Sequence, residues 1–174
     1  MTPEHRTQVH NDFVAGVCKF LVSVSPPGSR FDIKETCLMG ERAATVETRD
    51  DLIRYDILLI HVYKDVGTHY YCECKTRKEC SSTVTNDLKR HLRIFLHKAY
   101  KTIDSAKSRY GDNYGFLFIS DMPFEMADSN ITFRYLKETL SDIPSLDEDK
   151  LNSMTARVRI FILSDWFIGL YGGV

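Results

Sequence analysis

Three residues, Asp56, Glu73 and Lys75, have the types and spacing to do chemistry together. Glu73 and Lys75 lie in the run Tyr71-Cys72-Glu73-Cys74-Lys75. Side chains alternate along a strand, so Glu73 and Lys75 share one face and Cys72 and Cys74 share the other. Asp56 interrupts the apolar run from Leu52 to Tyr63, where an unpartnered charge is costly. A hairpin joining the two strands would bring Asp56 to the Glu73 and Lys75 face, and its register decides whether they meet. Two carboxylates form a hard oxygen site of the kind that holds Mg2+ with water and phosphate oxygens. Such an ion neutralises phosphoryl charge and acidifies water, while a lysine beside it orients or deprotonates the attacking water or stabilises the pentavalent phosphate. These are the side chains that phosphodiester hydrolysis requires. The plainer alternative is an edge hairpin whose charges merely face water. Asp56 inside an apolar run weighs against it.

The elements that must position these residues are legible in outline. Phe13, Val14, Val17, Phe20, Leu21 and Val24 recur at helical spacing, predicting a helix from Gln8 to Val24 that Pro26-Pro27-Gly28 ends. Short strands are expected around Lys34–Met39 and Arg42–Thr48. Leu52–Tyr63 reads as a buried strand, 64–68 as a turn, and His69–Arg77 as its partner. Ser81–Arg109 reads as a long helix with Val84, Leu88, Leu92, Phe95, Leu96, Ala99 and Ile103 in one stripe, capped by Ser82 or Thr83. Tyr114–Ser120 follows as a strand whose crossover implies parallel pairing. Helices at Ile131–Leu140 and Asp147–Met154, a strand at Arg157–Leu163 and a packed Trp166–Tyr171 complete an α/β chain with a mixed sheet.

An acidic residue on one strand, Glu-x-Lys on the next and then a helix resemble the PD-(D/E)xK nuclease superfamily with its restriction-endonuclease-like fold. The matching segments are Arg54-Tyr55-Asp56-Ile57-Leu58-Leu59-Ile60 and Glu73-Cys74-Lys75. The resemblance covers a core of about residues 8–120 and implies one nuclease-like domain over 1–174, with 121–174 as additional helices and a strand. It implies Asp56 and Glu73 as ligands of Mg2+ or Mn2+, the Cys74 backbone carbonyl as a third ligand, and Lys75 as the water-activating lysine. Tyr55 stands where many members have proline. Many members also place a glutamate on the first helix. Glu4, Asp12, Glu35, Glu41 and Glu47 are available, and Glu41 is the expected extra ligand. Double-stranded DNA is the implied substrate, and an effector role in bacterial defence against phage is a further implication. The alternative is an inactive module of the same fold that binds a partner protein.

The remaining composition bounds these readings. The 174 residues, 43% apolar and 27% charged, suit one folded domain. A net charge of −1 gives no overall basic field, so a grip on nucleic acid is expected to come partly from oligomerisation or another protein partner. Lys89, Arg90 and Arg93 are candidate phosphate contacts on the long helix, whose plainer role is a solvated face. The five cysteines lack the two close pairs of a structural zinc site, and reduced thiols are expected. The histidines show no zinc spacing and are assigned to surface or packing roles. Ser120-Asp121 and Ser164-Asp165 end apolar strands without a nucleophile elbow. No run spans a bilayer and the N-terminus is unlike a secretory signal, so a cytoplasmic protein that does not engage the membrane is expected.

Overall fold

The computed structural model describes residues 2–79, 84–121 and 131–163. Its elements are α1 (Pro3–Ser23), β1 (Ser29–Thr36), β2 (Thr45–Glu47), β3 (Leu52–Arg54), β4 (Ile57–Tyr63), β5 (Val66–Lys75), α2 (Val84–Tyr110), β6 (Tyr114–Ser120), α3 (Phe133–Thr139), α4 (Glu148–Arg157) and β7 (Val158–Ile162). Five strands form a mixed sheet in the order β1-β4-β5-β6-β7, and β2 pairs with β3 separately. The pairs β1–β4 and β4–β5 are antiparallel, whereas β5–β6 and β6–β7 are parallel. The long helix α2 supplies the crossover that parallel pairing of β5 and β6 demands.

Helices cover both faces. Phe13, Val14, Val17 and Leu21 of α1 pack with Ile57, Leu59, Cys72 and Cys74. Each of the Phe, Val, Leu and Ile side chains contributes roughly 1.5–3 kcal/mol by leaving water. On the other face Leu88, Leu92, Phe95, Leu96 and Ile103 of α2 meet Tyr71, Phe116 and Phe118, with Leu136, Leu151 and Met154 of α3 and α4 joining them. Cys72 and Cys74 thus point into apolar packing on the face opposite Glu73, as alternation requires. Among the described residues, no helix is long and apolar enough to cross a membrane.

Several boundaries differ from the sequence expectations. α1 begins at Pro3, capped by Thr2, because proline is well accommodated in a helix's first turn. β1 begins at Ser29 and ends before a 3-10 turn at Cys37–Met39. The expected strand Leu52–Tyr63 is two strands. Tyr55 N–H donates to the Ala44 carbonyl at 2.8 Å, and Tyr55 OH is buried 2.8 Å from Thr102 Oγ1. These bonds bend the chain at Tyr55-Asp56 and send β3 to pair with β2. The hairpin turn is only Lys64-Asp65, both at positive φ (47° and 63°), as a two-residue turn between twisted strands requires. Gly67 therefore belongs to β5. The caps expected at Ser82 or Thr83 and the packed Trp166–Tyr171 lie outside the described residues.

Candidate metal centre

The β4–β5 register pairs Ile57 with Cys72. One step further places Asp56 opposite Glu73, just where β4 gives way to the bend. Asp56 N–H still donates to the Cys72 carbonyl at 2.9 Å, and Cys74 N–H donates to Asp56 Oδ2 at 2.7 Å. Cys72 and Cys74 thus turn the same backbone edge toward Asp56, and the Cys74 carbonyl belongs to that edge.

Asp56 Oδ1 lies 3.0 Å from Nε2 of His10, whose Nδ1 lies 2.8 Å from Glu79 Oε1. Glu79 Oε2 in turn accepts from Lys75 Nζ. Lys75, Glu79, His10 and Asp56 form one chain of alternating charge. Beside it, Lys98 Nζ holds both oxygens of Glu73, at 2.9 and 2.7 Å. Local structure explains the placement of Glu79. Asp121, immediately after β6, accepts from Thr76 Oγ1 at 2.7 Å and from Arg77 N–H at 2.6 Å. Those bonds pin the 3-10 turn Arg77–Glu79 and turn Glu79 back toward β5. The Ser120-Asp121 pair is thereby occupied structurally, with Ser120 Oγ donating to the Lys75 carbonyl at 2.8 Å.

The electrostatics follow from these contacts. Burial opposes charge on His10, but hydrogen bonds with Asp56, Cys37 and Glu79 outweigh it and push His10 up to about 12. Burial would raise Asp56 and Glu79, yet the His10 bond, helped by Cys74 N–H for Asp56 and by Lys75 for Glu79, holds both below the usual carboxylate range. Glu73 goes the other way. Burial and then the Asp56 charge push it up to about 7, with Lys98 offsetting only part. His91 is held down at about 4 by burial and then by the Lys75 charge.

His10, Asp56 and Cys37 also bring one donor atom each within 4.8 Å of one another, a group that could hold a metal ion. Cys37 is fixed by its N–H on the Asp56 carbonyl (2.8 Å) and by Arg54 Nη2 on its own carbonyl (2.9 Å).

Of the residues expected from sequence, Lys75 and Asp56 are linked through Glu79 and His10, whereas Glu73 is held separately by Lys98. Glu41 lies exposed in the turn before β2, and the bonds around Asp56 do not include it. Asp12 instead accepts from Gln8 Nε2, and Glu35 from Ala44 N–H. Arg90 and Arg93 line an open groove of about 540 Å³ between β3 and α2, with Arg54, His97, Lys98 and Lys101. Lys89 is exposed elsewhere on α2. The sequence reading did not place His10, Glu79 or Cys37 at the centre, and it took Lys98 as part of a basic helix face, phosphate-contacting or solvated, where the structure has it on Glu73. For His10 the assignment to surface or packing is corrected: it precedes Phe13 by three residues and Val17 by seven, on the stripe that faces the sheet.

The mixed α/β sheet flanked by helices, with this His/Cys/Asp group, is consistent with a generic metal-binding enzyme fold. No family model matches the chain, and no curated protein matches its sequence.

The ion pairs predict a pH dependence of stability. The contribution of His10 is fully present below its unfolded value of 6.5 and is lost as pH rises toward about 12. Those of Asp56 and Glu79 are present above their ordinary values of 3.8 and 4.5 and are lost at lower pH. In EDTA, urea midpoints of the wild type and His10→Gln should differ most near about pH 5.5, draw together steadily above about pH 6.5 and meet only toward about pH 12. A gap constant across that range would contradict the ion-pair assignment.

Proposed function

We propose that the protein is a Mg2+- or Mn2+-dependent endonuclease hydrolysing phosphodiester bonds, with double-stranded DNA as substrate, working in a reducing cytoplasm. Asp56, Glu73 and the Cys74 carbonyl would hold the ion. The observation that carries this reading is that two partly buried carboxylates stand opposite one another, Asp56 at the bend between β3 and β4 and Glu73 on β5, with Lys75 tied to Asp56 through Glu79 and His10. Bound there, the ion supplies charge neutralisation beside the phosphorus and acidifies water. Lys75 orients the attacking water and stabilises negative charge growing on the phosphate. Glu79 fixes the Lys75 ammonium, and His10 fixes the Asp56 carboxylate.

Lys98 touches Glu73 and also lines the basic groove, so a strand lying there passes from Arg90 and Arg93 to the reacting centre. Five Lys and Arg side chains against Asp51 and Asp142 give this groove a local positive charge that the whole chain lacks. Free thiols at Cys18, Cys37, Cys72 and Cys74 suit the reducing setting. Phage defence is part of the proposal through the family resemblance alone.

The test incubates wild type, Asp56→Ala and Lys75→Ala with supercoiled plasmid, linear duplex, single-stranded DNA and RNA, in Mg2+, Mn2+ or EDTA. Metal-dependent cutting of duplex DNA by the wild type only is the expected result. Cutting confined to RNA moves the substrate. Equal cutting by all three proteins, or none by the wild type across these conditions, overturns the reading and leaves the inactive interaction module.

A further inference from the structure

We propose that His10 Nε2, Cys37 Sγ and an Asp56 oxygen form a second kind of metal site, one selective for a thiophilic divalent cation of the Zn2+ class. The proposal shares Asp56 with the nuclease reading but does not rest on it. Imidazole, thiolate and carboxylate together favour zinc over magnesium, because Mg2+ takes oxygen ligands and binds thiolate poorly. Ligands about 2.0–2.3 Å from a tetrahedral zinc stand roughly 3.3–3.8 Å apart. His10 Nε2 and Asp56 Oδ1 are 3.0 Å apart, and all three donors fall within 4.8 Å, so closing the set needs shifts of no more than about an ångström.

The second observation is the environment of the imidazole. A metal-ligating histidine commonly donates its other ring N–H to a carboxylate, which fixes its tautomer and orientation. His10 meets that pattern with Nδ1 2.8 Å from Glu79 Oε1, and Lys75 holds the other oxygen of Glu79. The three ligands come from α1, the 3-10 turn after β1 and the bend before β4, and each is anchored on its own element. On binding, the Nε2 proton of His10 and the thiol proton of Cys37 leave to solvent. The three ligands among the described residues leave one position of a tetrahedron for water, the arrangement of an open rather than a structural zinc site. Zinc in this position draws on the carboxylate that the Mg2+ site also needs, so the two ions would compete for Asp56.

Co2+ substitutes for Zn2+ and reports thiolate ligation directly. The full chain, reduced and metal-free, should develop a thiolate-to-cobalt charge-transfer band and the visible bands of a four-coordinate ion, saturating at one equivalent and bleached by Zn2+. Cys37→Ser should lose the charge-transfer band. Glu79→Gln should keep it with affinity lowered about 10- to 100-fold. Cys18→Ser should leave it unchanged, and circular dichroism should confirm folding of each variant. Absence of the band in the wild type, or its persistence in folded Cys37→Ser, overturns the proposal. Duplex cutting in Mg2+ is scored separately, so failure of the zinc site and failure of the nuclease reading give different results.

Discussion

Lys75→Met should lower the single-turnover rate of Mg2+-dependent phosphodiester cleavage by about 1000-fold while leaving divalent-ion binding intact. The ammonium is the one cation of the charge chain that lies on the same strand face as Glu73, two residues along β5. Methionine keeps the length of the buried stem and removes only the charge and its hydrogen bonds. Glu79 retains His10 as a partner, so the carboxylates that would hold the ion keep their places. A lysine that merely neutralises Glu79 would leave the rate within a few fold of wild type. The split between lost rate and kept metal affinity distinguishes a group acting on water or phosphate from one that shapes the ion site.

Glu79→Ala should be the most damaging single change to stability near the centre, at about 3–5 kcal/mol. Its side chain is only 5% exposed, that of Lys75 is 10% and that of His10 is 25%. Removing the carboxylate leaves an ammonium and an imidazolium facing one another with their shared counter-charge gone. Breaking a buried pair on one side costs far more than the net worth of the intact pair, because the remaining charge stays desolvated. For a chain of this length the loss corresponds to a fall in Tm of roughly 10 °C. The exposed pair Arg134–Glu138 is the comparison, and Glu138→Ala should leave the unfolding transition where it is. Equal shifts for the two variants would mean that the Lys75–Glu79–His10 chain carries no special weight.

Much of this centre could be read from sequence because it depends on local rules. Alternation along a strand puts Glu73 and Lys75 on one face without any knowledge of the fold. Asp56 stood out because a charge in an apolar run needs a partner. The parallel placement of β6 followed from a helix too long for a hairpin. What the sequence did not disclose depends on contacts between distant segments. The bend at Tyr55-Asp56 requires Thr102 and Ala44, neither of which is near in sequence. Glu79 occupies a 3-10 turn whose direction is set by Asp121, forty-two residues further on. Lys98 sits beside the apolar stripe of α2, where periodicity assigns it to solvent, yet it reaches Glu73. His10 was the recoverable case, being a polar residue on the buried stripe of α1 one turn before Phe13. Cys37 has no close cysteine neighbour in the sequence to mark it, and the group it joins comes from three separate elements.

Whether Asp56 and Glu73 share one hard cation is measured directly by Mn2+ titration followed by electron paramagnetic resonance. Free Mn2+ gives the signal, so its loss counts the bound ion. Wild type and Cys37→Ser should each bind a single Mn2+ with the same affinity, while folded Glu73→Gln and Asp56→Asn should bind it at least about 10-fold more weakly. Binding by Glu73→Gln as tight as that of the wild type, or no binding by the wild type at millimolar Mn2+, would contradict a shared ion.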